Sequence, residues 1–182
     1  MIAYKITSPG LTATRGSRDN YKLKMGLNTT KEANCARNGF HCAANPLDCL
    51  TYYSSLQDNE IYLVEAGGDI DEDSNDSKIS CTELNIIRRL SVPEFIAASV
   101  LYAQKYPYAQ SHRFIKENKG SAESGFCIVK GKNPLCKALK IGDVLGFLKI
   151  SETGIHAKVF VADGEKIKPG VWYTINGEEY KK

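Results

Sequence analysis

The pattern of apolar and polar positions divides the chain into strands, two helices and polar connections. Met1 to Thr7 alternates apolar with polar residues and is followed by Ser8-Pro9-Gly10, the pattern of a strand ended by a turn. Within the polar stretch 11–38, Tyr21, Leu23 and Met25 alternate as a second short strand. Asn45-Pro46-Leu47-Asp48 predicts a helix over about 46–55. Asn45 can accept from free amides, Pro46 pre-sets the first helical dihedral, and Asp48 favours the positive dipole end. Residues 59–66 predict a strand broken by Gly67-Gly68, and Lys78 to Leu90 continue as extended chain. A second helix is expected over 91–105. Ser91 and Glu94 have capping-box spacing, Pro93 lies in the first turn, and Val92, Phe95, Ile96, Ser99, Val100 and Ala103 follow helical spacing. Tyr106-Pro107-Tyr108 closes it.

After a polar, basic stretch over 109–125, the C-terminal third is rich in β-branched and aromatic runs: 126–129, 144–150, 158–162 and 171–175. Gly154, Asp163-Gly164 and Asn176-Gly177 mark turns between them, which reads as a meander of antiparallel strands. The expected class is α+β, with antiparallel sheets, two main helices and a β-rich C-terminal meander. The expected organisation is an N-terminal α+β domain over 1–108, a connector over 109–125 and a β-rich module over 126–182, which could also pack as one compact domain.

Composition fits a globular chain: 182 residues, 42% hydrophobic and 25% charged. No apolar run approaches the roughly 18 residues of a membrane span, and the opening alternation is unlike a signal sequence, so no membrane association and a cytosolic location are expected. In a reducing compartment the six cysteines read as buried thiols, and Cys35, His41, Cys42 and Cys49 lack zinc-knuckle spacing. The net charge of +3 conceals an acidic middle, 41–87, between basic ends. Such asymmetry suits docking on a charged partner, as it also suits a solvated surface.

Candidate chemistry follows the charge. Arg88, Arg89, Arg113, Lys116, Lys119, Lys130 and Lys132, with Tyr106, Tyr108 and Phe114 interleaved, could meet phosphates and stack on bases. Asp69, Asp71 and Asp73 could meet a basic protein surface. Their spacing departs from a calcium loop, with Ser74 and Ser80 where Gly and Glu belong. His41 and Cys42 are adjacent and should point to opposite faces, while His112 and His156 stand apart from other candidate groups. No catalytic, cofactor-binding or metal-binding residue is nominated, and no cofactor is expected.

Met1-Ile2-Ala3-Tyr4-Lys5, Gly39-Phe40-His41, the block from Asn45 to Tyr53, Val64 to Asp71, and Lys166 to Thr174 together resemble an uncharacterised family of small proteins encoded in phages and gut-bacterial mobile elements. The resemblance covers 1–105 well and 138–182 moderately. Within that neighbourhood, length and opening residues are similar to type II-A anti-CRISPR proteins. That similarity implies a stoichiometric inhibitor in the host bacterial cytosol. It would bind a type II CRISPR-Cas effector nuclease with its guide RNA, block target recognition or cleavage, and contact double-stranded DNA in some modes. The alternatives are a phage-encoded enzyme acting on nucleotides or proteins, and a phage structural or interaction protein.

Overall fold

The computed structural model describes residues 1–14, 21–35 and 37–181. Arg15 and Arg18 of the basic N-terminal stretch lie outside the described residues. The chain forms two compact units, Met1–Ser91 and Val92–Lys182. The division falls between Ser91 and Val92, whereas the polar stretch after the helix had suggested residue 108.

The first unit contains β1 (Ile2–Thr7), β2 (Thr12–Ala13), β3 (Tyr21–Lys22), β4 (Gly26–Thr29), β5 (Phe40–Ala43), β6 (Glu60–Glu72) and β7 (Lys78–Leu90). Its main sheet runs β4-β7-β5-β1-β6, and β6 also pairs with β7, so β1, β6, β7 and β5 close into a small barrel. All these pairs are antiparallel, with β1 registered on β6 from Ile2↔Glu65 to Thr7↔Glu60. Alternation puts Ala3, Phe40, Cys42, Val64, Ile79, Cys81 and Ile86 in one buried cluster. Lys5 shares the face of Ala3 and is buried, its ammonium donating to the His41 carbonyl at 2.5 Å.

Gly67-Gly68 does not break the strand. Gly68 takes φ +67, where a Cβ would collide with the Thr82 hydroxyl, and the Asp69 amide donates to that hydroxyl at 2.8 Å. Pairing shifts register there and resumes at Ile70↔Cys81, a bulge that carries β6 onward to Glu72. The expected helix at 46–55 is a shorter 3-10 turn, Pro46–Thr51. Asn45 caps it as expected, accepting from the Leu47 amide at 3.2 Å, and the Tyr52 and Tyr53 amides both close on the Cys49 carbonyl at 3.1 Å. Thr51, Tyr52 and Tyr53 favour helix too weakly to extend it.

The second unit contains α1 (Val92–Lys105), a 3-10 turn (Pro107–Ser111), β8 (Ile115–Ser121), β9 (Phe126–Lys137), β10 (Val144–Ser151), β11 (Gly154–Val161) and β12 (Trp172–Tyr173). The expected meander is corrected: β9 runs parallel to both β8 and β10, with Ile115, Ile128 and Gly146 in line across three successive passes of the chain. Residues 109–125, expected as a connector, supply the end of the 3-10 turn and the whole of β8. β11 pairs antiparallel with β10 through the Gly154 turn, and β12 pairs antiparallel with the end of β9. Strand β10 is buried over Val144–Leu148 because both of its faces are covered. α1 packs through Ile96 and Val100 against Gly146 and Ile128, and the cluster of Val129, Leu145, Phe147, Ile167 and Tyr173 fills the other side. This explains the near-continuous apolar run of β10, the pattern of a strand covered on both faces. The fold is a β-rich α+β arrangement. Among the described residues no helix is long and apolar enough to cross a membrane.

Candidate interaction surfaces

The charge asymmetry follows the two units. Met1–Ser91 has ten Lys and Arg against twelve Asp and Glu, whereas Val92–Lys182 has fourteen against nine. The first unit holds Arg88, Arg89, Asp69, Asp71 and Asp73, and the second holds Arg113, Lys116, Lys119, Lys130 and Lys132.

In the first unit the acidic groups belong to the β6–β7 hairpin rather than to a free loop. Asp69 and Asp71 are exposed, and Asp71 accepts from the Cys35 amide at 2.6 Å. Asp73 pairs with the Lys78 ammonium at 2.6 Å and accepts from the Asn75 amide at 2.9 Å, which holds its carboxyl below the usual range. Burial opposes the charge of Lys78, yet the hydrogen bonds to Asp73 and Tyr52 raise its pKa well above normal. Asp48 anchors the turn, accepting from the Ser77 hydroxyl at 2.6 Å and the Ser77 amide at 3.0 Å. The Asn-Pro-Leu-Asp block thus caps one turn and pins another. Arg89 pairs with Glu60 at 3.2 Å, and the guanidinium of Arg88 donates to the Arg89 carbonyl at 3.4 Å.

Cys42, Cys49 and His41 are held in their uncharged forms. Cys42 is buried in the barrel beside Cys81, and its hydrogen bond to Cys81 together with burial pushes its thiol up. Burial pushes Cys49 up to about 12. Burial, with Lys5 and Lys78 nearby, lowers the His41 pKa to about 4, so the ring is neutral at pH 7. His156, expected to stand apart, lies 3.0 Å from the Ser151 hydroxyl and 3.2 Å from that of Thr153 in the β10–β11 turn. Among the described residues no three His, Cys, Asp or Glu side chains are grouped to hold a metal ion.

In the second unit the basic candidates divide by what they touch. Lys130 is mostly buried and pairs with Glu117 at 3.3 Å, and the Arg113 guanidinium lies 5.0 Å from the Phe114 ring centroid. Lys116 and Lys132 are exposed. Lys119 belongs to the most organised group. Gly120↔Cys136 and Cys136↔Tyr173 are in register and Cys136 and Tyr173 are fully buried, so alternation turns Lys119, Lys137 and Trp172 to the opposite face. There the Lys119 ammonium lies 4.0 Å, and the Lys137 ammonium 4.8 Å, from the centroid of the half-buried Trp172 ring.

Such contacts are worth about 0.5–1 kcal/mol each at exposed sites, enough to orient the lysines without neutralising them. The group offers a π face for a base and two ammonium groups for phosphates. Trp172 was not nominated from the sequence. The available signal was a lone tryptophan in a short strand, with Tyr173 taking the inward position beside it.

No curated protein and no solved structure matches the chain. Residues 1–98, more than half the chain, match DUF7666, a domain of unknown function, and the chain belongs to that family.

Proposed function

We propose that this chain is a non-catalytic binding protein that inhibits a nucleic-acid-loaded nuclease. The resemblance of length and opening residues to type II-A anti-CRISPR proteins implies, as the nuclease, a type II CRISPR effector carrying its guide RNA in the host bacterial cytosol. The observation that carries the reading is the convergence of Lys119 and Lys137, from two parallel passes of the chain, on the half-buried Trp172. Phosphates draw the two ammonium groups off the ring, and an unstacked base then takes the ring face. Base–aromatic stacking of this kind contributes about 1–3 kcal/mol. The exposed Lys116 and Lys132 extend the positive surface of the same unit, and Asp69 and Asp71 present carboxylates to basic protein surface.

The reading is tested by titrating the protein against a fixed amount of effector, guide RNA and target DNA. Cleavage is expected to fail near equivalence, and Trp172→Ala together with Lys119→Ala should move the inhibition curve to higher protein concentration. Full inhibition at about a hundredth of equivalence, the signature of a catalyst that turns over, contradicts the proposal.

A further inference from the structure

We infer that the groove beside β4 is a docking site for an extended, acidic peptide segment of a partner protein, which adds a strand to the open edge of β4. Among the described residues strand β4 is the last in its sheet. The Thr30 amide donates to the Thr82 carbonyl at 2.9 Å, which makes Thr30 and Thr82 a hydrogen-bonded pair. In an antiparallel ladder such pairs alternate with non-bonded ones. Gly26↔Ile86 and Asn28↔Leu84 therefore bond inward, and Leu27 and Thr29 turn their N–H and C=O groups to the outer edge. At about 3.4 Å per residue the four residues of β4 offer roughly 14 Å of edge.

A groove of about 780 Å³ is lined by three segments, Tyr21–Lys24, Leu27–Thr30 of and after β4, and Asn38–Phe40. Binding clefts fall roughly between 300 and 1,000 Å³. The first two of these segments are tied together. The Asn28 side chain donates to the carbonyls of Lys24 at 2.8 Å and Gly26 at 3.0 Å, and accepts from the Lys24 amide at 3.0 Å. Among the described residues no carboxylate lines the groove, and Lys22 and Lys24 are exposed and form no ion pair. Continuing the β4–β7 register sets Met25 opposite Ile87, and with Leu27 these three side chains are 51%, 41% and 52% exposed.

An open edge flanked by exposed apolar side chains is a liability that natural proteins usually cover or charge. An added strand covers it. Its main chain bonds to Leu27 and Thr29, its apolar side chains meet Leu27 and the aromatic wall of Tyr21 and Phe40, and its carboxylates meet Lys22 and Lys24. A nucleic acid could satisfy the lysines but not the backbone edge, so a peptide is the occupant the geometry favours. The inference is independent of the nucleic-acid reading, because all of its residues lie in the first unit.

The test uses the full chain and a labelled peptide of alternating Glu and Val, read by fluorescence anisotropy. Two controls are the same peptide N-methylated at alternate amides and a Lys-Val counterpart. Saturable binding of the Glu-Val peptide is expected, weakened roughly tenfold or more by Lys22→Glu with Lys24→Glu, and likewise lost with N-methylation. Thr29→Pro removes one outward N–H and leaves the bonds to β7, a position where edge strands tolerate proline, and it should weaken binding too. Should Thr29→Pro fail to fold by circular dichroism, the lysine variant and the N-methylated peptide still decide the matter. Absence of saturable binding overturns the inference, as does equal binding of the Lys-Val or N-methylated peptide. Self-association that protects the Leu27 and Thr29 amides without peptide overturns it as well, since the edge then belongs to a second copy.

Discussion

Replacing Gly146 with alanine tests whether α1 seats on the parallel strands as described. Gly146 lies mid-strand in β10, between Ile128 of β9 and Val159 of β11. A Cβ there would sit 2.8 Å from Val100 Cγ2, 3.1 Å from Ile128 Cγ1 and 3.5 Å from Ile96 Cγ2. The first two distances are well inside the roughly 3.5–4.0 Å optimum for carbon contacts. Val100 and Ile96 are 1% and 0% exposed, so neither side chain can swing into solvent. Overpacking of this kind costs about 1–3 kcal/mol, offset by the about 0.4–1 kcal/mol that alanine contributes by restricting the unfolded chain. The net expectation is a loss of about 1–2 kcal/mol.

Val100→Ala alone should destabilise by about 2 kcal/mol through lost burial, yet it also empties the space that the new methyl needs. The double variant should therefore fall short of the sum by about 1 kcal/mol. Urea denaturation followed by the fluorescence of Trp172, the single tryptophan and a residue of the same unit, reads the effect directly. A downward midpoint shift of roughly 1 M is expected for Gly146→Ala. An unchanged or higher midpoint, or strictly additive single variants, would refute the packing described.

Two further outcomes follow from the first unit. Because the His41 pKa falls from 6.5 to about 4 on folding, the folded state disfavours the protonated ring. Stability is then fully present above pH 6.5 and declines as pH drops toward 4, and His41→Gln should flatten that decline in urea midpoints measured across the range. An equally steep profile in the variant would remove His41 as the cause. All six cysteines are unbridged thiols and only Cys35 is more than slightly exposed, so a thiol reagent should modify one group quickly in the native protein and six after denaturation. Rapid native modification of two or more thiols would contradict the burial of Cys42, Cys49, Cys81, Cys127 and Cys136.

Local signals were the legible ones. The alternation of β1, the cap at Asn45 and the stripe of α1 each depend on neighbours within a few residues, and each element appears within a residue of its expected start. Closure of the barrel and the parallel pairing of β8, β9 and β10 depend on contacts far apart in sequence, which periodicity does not encode. β8 was concealed for a further reason. As an edge strand it exposes Lys116, Glu117, Asn118 and Lys119, so its composition reads as a loop.

The site was legible in charge but not in geometry. Lys119 and Lys130 look equivalent in sequence, yet one faces Trp172 and the other is taken up by Glu117. Asp73 likewise reads as a surface carboxylate and is instead held by Lys78. The pairing of Trp172 with Lys137 joins strands 35 positions apart, and only the register reveals it.

Intrinsic fluorescence of the lone Trp172, followed while a single-stranded oligonucleotide is added at several salt concentrations, tests the proposed binding role most directly. The account predicts saturable quenching that weakens with salt, and a salt slope lower by about one unit for each lysine removed in Lys119→Ala and Lys137→Ala. Unchanged fluorescence at saturating oligonucleotide, or quenching with the same slope in both variants, would contradict it.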